Sequence, residues 1–395
     1  MSESRTAVPL IDSRSYDAVI FDTDGMVADS TAGLERELRA AGLGVRVCSA
    51  TRDPVMLLAA ARRVGADPAR TVVVVAAEAG VGAARAGGFG LVIAVDRGDH
   101  AAALIARGAD AVVEDLAQVR LRAGFQRMSE VPDALDAESG LEVGDTEKLV
   151  VLLDFDGTLS EVVPDPGAAV LVDGADQVLA RLSKRCPVAV ISGRELEDLR
   201  DRVGVEGLWY AGCHGFELLA PDGSTHIHDT APGAERALAD AAAELSSRLS
   251  DIPGIRVEHK RFAVAVHYRQ ADPTRVGAVI SAVHELSRAH GLRVTGGRKV
   301  IELRPDIDWD KGTALHWILA RLTDPRVPLY IGDDLTDEDA FDAVESTGFA
   351  LVVGHDEDGD RPTAARYALA DPTAVRVFLE KLASQLPEGA ATGSV

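Results

Sequence analysis

The run LLDFDGTL, Leu152 to Leu159, sets Asp154 and Asp156 two residues apart where an apolar stretch gives way to a glycine turn. Carboxylates so placed can bind Mg²⁺, attack phosphorus and then handle a proton, all from one loop. A solvated Asp-Gly turn explains the same residues, so the chemical reading depends on partners further along the chain. Asp154 fits a nucleophile and first metal ligand. Asp156 fits a second ligand, the acid that protonates a leaving oxygen and the base that activates water. Thr158 fits a residue that holds the loop, or an ordinary turn threonine.

Three further elements come in order. In CPVAVISGRELEDL, Ser192 and Gly193 fall between a strand and a helix, where a hydroxyl and backbone N–H groups suit a phosphate oxygen. Ser192 equally suits a plain helix cap. Lys311, in DWDKGTALHWIL, precedes a helix and can neutralise a phosphorylated aspartate. Most single lysines are solvated surface charges. LYIGDDLTDEDAF places Asp333 and Asp334 directly after a strand. Adjacent acids at a buried strand end repel unless a cation joins them, which makes both metal-ligand candidates. Asp337, Glu338 and Asp339 open the next helix, where the dipole favours acids without any further role.

The elements that must position these residues alternate in type. Short apolar runs (YDAVIF, TVVVVA, FGLVIAV, LVVLLDF, CPVAVIS, PLYIGDD, GFALVVG) alternate with amphipathic helical stretches. That pattern predicts an α/β fold of parallel, Rossmann-like sheets covered on both faces, with ligands at the carboxyl ends of the strands. The length of 395 residues calls for two or three domains. IFDTDGMV, Ile20 to Val27, repeats LDFDGTL, matching Asp22 to Asp154 and Asp24 to Asp156. The expected domains are 1–119, a helical linker over 120–147, a core of 148–230 and 305–395, and an inserted α+β unit over 231–304. The insertion would sit over the strand ends as a lid.

Composition narrows the partners. There are 63 acidic against 41 basic residues, a formal charge of −22, which argues against nucleic acid or an anionic membrane as partner. No run reaches the ~18 apolar residues needed to span a bilayer, and no signal peptide is evident. Cys48, Cys186 and Cys213 are an odd number without metal-type spacing, so a reduced, cytoplasmic protein is expected. A monomer is slightly favoured.

Taken together and in order, DxDGT, serine, lysine and GDD resemble the haloacid dehalogenase superfamily of aspartyl-phosphate phosphatases. Residues 148–385 resemble the trehalose-6-phosphate phosphatases more narrowly, through LDFDGTL, ISGR, AGCHGFEL, VEHKRFAVAVHYR, GRKVIELRP, DKGTAL and GDDLTDEDAF. The resemblance implies Mg²⁺-dependent hydrolysis of a small-molecule substrate, trehalose 6-phosphate. It places Glu258, Lys260 and Glu302 on the distal sugar, with His214, Gly215 and Arg304 shaping the same site. Glu258 and Lys260 also fit a cross-strand surface pair. The alternatives are the same chemistry on sucrose 6-phosphate or mannosyl-3-phosphoglycerate, or a non-catalytic sugar-phosphate sensor. The first domain looks like a degenerate superfamily member. Val75 and Ala76 stand where acids are expected, the lysine element is missing, and Ser49 remains.

Overall fold

The structure is a computed structural model that describes residues 8–22, 28–49, 53–136, 148–163, 165–297, 299–354 and 360–387. The chain forms two compact units. One comprises Met1–Phe125, Ala241–Val257 and Val266–Val294; the other comprises Gln126–Asp240, Glu258–Ala265 and Thr295–Val395. The segment 231–304 thus contributes to both.

In the second unit eight strands form one sheet, in the spatial order Thr225–Ile227, Glu217–Leu219, Trp209–Gly212, Val188–Ile191, Leu149–Leu153, Val327–Gly332, Phe349–Val353 and Tyr367–Leu369. The last six are mutually parallel, and the first two add an antiparallel edge. The central strand Leu149–Leu153 is fully buried because both faces are covered. Leu149, Val151 and Leu153 enter one apolar cluster, and Val150 and Leu152 the other. Alternation along a strand thereby fills two cores at once, which is why the run reads as continuously apolar.

The first unit repeats the plan with five parallel strands, ordered Gly44–Cys48, Ala18–Asp22, Thr71–Val75, Leu91–Val95 and Ala111–Val113. Val19 and Phe21 face one core, and Ile20 the other. The expected α/β architecture of two parallel sheets is therefore present. Among the described residues, no helix is long and apolar enough to cross a membrane.

The inserted segment holds a four-stranded sheet, ordered Arg256–Lys260, Ala263–His267, Val300–Pro305 and Leu292–Gly297. Its helices are Glu235–Leu249 and Pro273–His290. Asp272 caps the second, accepting from Thr274 N at 2.8 Å, with Pro273 at its first position and left-handed Gly291 after its end.

One expectation fails. The helical linker over 120–147 contains no α-helix in its described part. Arg120–Arg122 pairs with Leu10–Asp12 in the first unit, and Gln126–Arg127 pairs with Pro362–Thr363 in the second. Only Met128–Glu130 makes a single 3₁₀ turn, and residues 137–147 lie outside the described residues. Edge strands offer unpaired N–H and C=O groups that an extended segment satisfies. Charge pattern along a sequence cannot reveal such a partner.

Truncating the central strand tests this two-sided packing. Leu152→Ala should cost about 2–5 kcal/mol in denaturant unfolding. Val170→Ala, at a residue 70% exposed, should stay within about 0.5 kcal/mol.

Candidate active site

The strands Leu149–Leu153 and Val327–Gly332 are parallel neighbours with Leu153 opposite Ile331, so Asp154 and Asp333 emerge side by side at their carboxyl ends. Asp154 N donates to Ile331 O at 2.9 Å and fastens the exit. The chain then turns back at Gly157, whose φ is +84°. A Cβ there would lie 2.2 Å from Asp333 Oδ2, so glycine is required both for the backbone conformation and for the space. Thr158 is fully buried, and its hydroxyl donates to Asp333 Oδ1 at 3.5 Å.

Lys311 opens the helix Lys311–Leu319, which Asp310 caps by accepting from Thr313 N at 2.7 Å. The lysine is 3% exposed and donates from Nζ to Asp154 Oδ1 and to Asp337 Oδ1, both at 2.7 Å. The Tyr330 hydroxyl donates to the same Asp337 oxygen at 2.6 Å. Asp337 Oδ2 accepts from Asp333 N at 3.0 Å and Asp334 N at 2.9 Å. Asp337 therefore spends both oxygens holding Lys311 and the Asp333–Asp334 turn. Burial disfavours the Lys311 ammonium, yet Asp154 and Asp337 overcome it and push its pKa up. Burial also works against the Asp337 carboxylate, but Lys311 and its hydrogen-bond donors hold it below the usual range.

Oxygens of Asp154, Asp333 and Asp337 all lie within 4.8 Å of one another. Burial pushes Asp154 above the carboxylate range; Lys311 opposes the rise, and Asp337 and Asp333 add to it. With Asp154 ionised, three buried carboxylates against one ammonium leave two negative charges in excess. A divalent cation with oxygen preference matches that donor set in charge and chemistry.

Two of the expected metal ligands differ from this cluster. Asp156 turns its carboxylate away to Arg194, which donates from Nη2 at 2.6 Å and Nε at 2.7 Å. A bidentate guanidinium outcompetes a place beside three other acids. Asp334 keeps its side chain outside the three-acid cluster, and Asp337 takes that place, because one turn of helix brings it back beneath the strand end. Arg194 is itself pinned, donating to Asp198 Oδ2 and to Pro166 O, each at 2.8 Å. Ser192 is buried, and its Oγ accepts from Arg194 N at 3.2 Å, a turn-bracing contact. Behind the Asp333–Asp334 turn, Arg361 donates to Asp333 O at 2.9 Å and pairs with Glu338.

The residues expected at the sugar form a second buried cluster in the same unit. Lys260 Nζ donates to Glu302 Oε1 at 3.2 Å, and Arg304 donates to Oε2 at 2.6 and 3.0 Å. His214 Nε2 lies 3.1 Å from Glu302 Oε2 and 2.6 Å from Arg304 Nη2. Burial and the neighbouring Arg304 lower the His214 pKa to about 3, so its imidazole is neutral. Despite burial, Lys260 and Arg304 hold Glu302 well below its ordinary range. Burial works against the Lys260 ammonium, but Glu302 and then Glu258, half-buried on the strand Arg256–Lys260, raise its pKa. Cys213 and His214 both take left-handed backbone (φ 48° and 58°), and Gly215 follows at 95°. Such strain persists only where surroundings enforce it. Here His214 fits under Gly193, where a Cβ would lie 2.6 Å from Nε2.

Sequence reasoning passed over Arg194, Tyr330 and Arg361, and read Asp337 as a helix-start acid. The arginine of ISGR and the tyrosine of LYIGDD carried the available signal, since each flanks a motif. In the first unit the strand pairing repeats, with Phe21 opposite Val74. Ala76 therefore stands in the register position of Asp333. Asp22 is buried at the strand end, and Asp24 lies outside the described residues.

Removing the acid at the centre of the second cluster tests its charge balance. Glu302→Gln leaves Lys260 and Arg304 buried without their carboxylate, a loss of about 3–5 kcal/mol at neutral pH. Glu302 has a depressed folded pKa. Its contribution is therefore complete above about pH 4.5 and lost as pH falls through the folded value. The gap between wild type and variant in urea unfolding should narrow on acidification below that point.

The trehalose-phosphatase family model matches residues 152–373. A trehalose-phosphate phosphatase of Mycobacterium marinum is 51% identical over 385 residues, covering 95% of this chain and 98% of that protein. An uncharacterised glycosyl hydrolase of Mycobacterium tuberculosis is 54% identical over 343 residues, which are 85% of this chain but 26% of that longer protein. The C-terminal domain of a Candida albicans trehalose-6-phosphate phosphatase shares the fold, with a TM-score of 0.53 and 24% identity over 60% of this chain and 92% of that one. With more than half of its length matched by the family model and a close relative matched almost end to end, the chain belongs to the trehalose-phosphatase family.

Proposed function

We propose that the protein is a trehalose-phosphate phosphatase, hydrolysing trehalose 6-phosphate to trehalose and phosphate with Mg²⁺ as cofactor, as the last step of trehalose biosynthesis in the cytoplasm. The observation that carries the reading is the buried Lys311 bridging Asp154 and Asp337 beside Asp333. It supplies a nucleophile, a fixed cation and a divalent-metal donor set within one strand-end pocket.

A carboxylate oxygen of Asp154 attacks phosphorus, and the bond from phosphorus to the sugar oxygen breaks. Asp156 gives its proton to that oxygen, and trehalose leaves with the phosphoryl group on Asp154. Water then attacks phosphorus, Asp156 takes its proton, and the Asp154 carboxylate is restored as phosphate departs. The ion pair with Arg194 is the resting arrangement; Asp156 leaves it and takes up a proton from solvent before the first step. Lys311 offsets charge on the phosphorylated aspartate throughout. Asp154 and Asp333 would hold Mg²⁺, with Asp337 behind them. When bound, the ion supplies positive charge to the phosphoryl oxygens. Ser192 and the N–H groups near Gly193 are assigned to a phosphate oxygen, and Thr158 to steadying Asp333.

Glu258, Lys260 and Glu302, with His214, Gly215 and Arg304, are assigned to the sugar. A carboxylate accepts hydrogen bonds from neutral hydroxyls, and lysine and arginine donate. Because Glu302, Lys260 and Arg304 bond to one another in the resting state, sugar hydroxyls would exchange into an already satisfied network, which favours a hydroxyl-rich substrate over an apolar one.

Phosphate release should be measured from trehalose 6-phosphate, glucose 6-phosphate, sucrose 6-phosphate and mannosyl-3-phosphoglycerate, with Mg²⁺ and with chelator. Release from trehalose 6-phosphate should dominate and vanish on chelation. Faster release from another substrate would overturn the sugar assignment.

Two substitutions test the roles. Asp154→Asn should lower kcat by about 10³-fold or more, and normal turnover would sink the mechanism. Asp156→Asn should lower kcat on trehalose 6-phosphate by about 10²–10⁴-fold. It should cost far less on p-nitrophenyl phosphate, whose leaving group needs no proton.

A further inference from the structure

The residues assigned to chemistry all lie in the second unit, and Ala76 stands where the first domain would need an acid. That leaves the N-terminal α/β domain without a catalytic task, yet it shares a compact unit with the lid helix Pro273–His290. The contact between them is built from two unlike parts. At Gly88, φ is +71° and a Cβ would lie 2.2 Å from Gly277 Cα; a Cβ on Gly277 would lie 3.1 Å from Gly87 O. Glycine at both positions lets the loop after the helix Glu78–Ala86 approach the lid helix at backbone distance.

Two turns further along the lid helix, His284 is 6% exposed and its Nδ1 lies 3.5 Å from Asp110 Oδ1. Asp110 pairs with Arg85 through its other oxygen, which also accepts from Val92 N at 2.8 Å. Arg85, 5% exposed, donates to Phe89 O at 3.0 Å and to Gly108 O at 2.5 Å, so the acid is held by a brace belonging to the N-terminal domain itself. Arg288, one turn beyond His284, extends a guanidinium to 3.4 Å from where a Gly108 Cβ would be. Gly277, Ser281, His284 and Arg288 are spaced four, three and four, a single stripe of the helix. The buried residues Val279, Val283 and Leu286 lie on a different face. The lid helix is therefore amphipathic in an unusual sense, with one apolar face and one face matched to the N-terminal domain.

We infer that the N-terminal domain is a docking module whose partner is the Gly277–Ser281–His284–Arg288 face of the lid helix. Its function is to set the position of the lid strands that the helix connects. The helix follows the strand Ala263–His267, which begins three residues after Lys260, and it leads into Leu292–Gly297. The helix is thereby joined through consecutive residues to the strands that carry the residues assigned to the sugar. The kinetic part of the inference rests on the trehalose 6-phosphate reading; the docking part does not.

The test uses the full chain carrying Gly277→Leu, with Ala278→Leu, at an exposed neighbour, as control and Asp110→Asn as a milder second variant. Hydrogen exchange would be followed over residues 78–90 and 274–290, alongside KM for trehalose 6-phosphate and kcat/KM for p-nitrophenyl phosphate. Gly277→Leu is expected to speed exchange in both segments tenfold or more and to raise KM for trehalose 6-phosphate several-fold. Hydrolysis of p-nitrophenyl phosphate should stay within twofold, and Asp110→Asn should move the first two readouts in the same direction by less. Exchange and KM indistinguishable from Ala278→Leu would overturn the docking role. If Gly277→Leu does not fold, Asp110→Asn decides alone: unchanged exchange and KM would overturn the inference. A wild type active on p-nitrophenyl phosphate but inert on trehalose 6-phosphate would remove the substrate reading while leaving the exchange result to judge docking.

Discussion

A single ammonium organises the phosphatase unit. Lys311, buried and shared at 2.7 Å between Asp154 and Asp337, is what lets three carboxylates occupy one strand-end pocket. Without it the acids would repel, and burial would protonate them or push them apart. With it, Asp337 becomes a strut. It holds the lysine on one oxygen and the two N–H groups of the Asp333–Asp334 turn on the other. Asp154, the Asp333–Asp334 turn and the ammonium are thus positioned by one connected network, closed by Tyr330.

The second buried cluster follows the same rule with the roles exchanged. Glu302 sits among Lys260, Arg304 and a neutral His214, and Glu258 adds a second acid beside Lys260, so here acids and cations balance where the first cluster has acids in excess. On the proposed assignment, a substrate with a phosphate dianion at one end and a hydroxyl-rich sugar at the other would meet metal and lysine at the first cluster and donors at the second. The overall charge of −22 does not attract such an anion; these local arrangements do. Both clusters are costly to bury, and in each the charged groups are hydrogen-bonded to one another, which is the condition under which buried charge is tolerated.

Legibility followed the range of the forces involved. The parallel sheets were readable because LVVLL and LYIG must satisfy two cores at once, a constraint written into consecutive residues. Asp154, Lys311 and Asp333 were readable because each sits where strand or helix ends. The helical linker was not, since Arg120–Arg122 and Gln126–Arg127 each form a two-stranded pair with a segment distant in sequence. Of the acids expected together, Asp154 and Asp333 meet in one cluster, whereas Asp156 pairs with Arg194 and Asp337 rather than Asp334 stands beside them. Arg194 lies 38 residues from Asp156, and nothing local in DxDG announces such a partner. The helix Pro273–His290 carried Gly277, His284 and Arg288 on one stripe, which periodicity alone could not tell from a solvated face.

The central claim is that Asp154, held by Lys311, becomes the phosphorylated residue. The most direct measurement is rapid acid quench of the enzyme turning over trehalose 6-phosphate, borohydride reduction of any acyl phosphate, and mass spectrometry of the peptide spanning 148–163. The expected result is conversion of Asp154 to homoserine, absent without substrate. Homoserine at Asp156 instead, or an intact Asp154 under conditions that accumulate product, would contradict it.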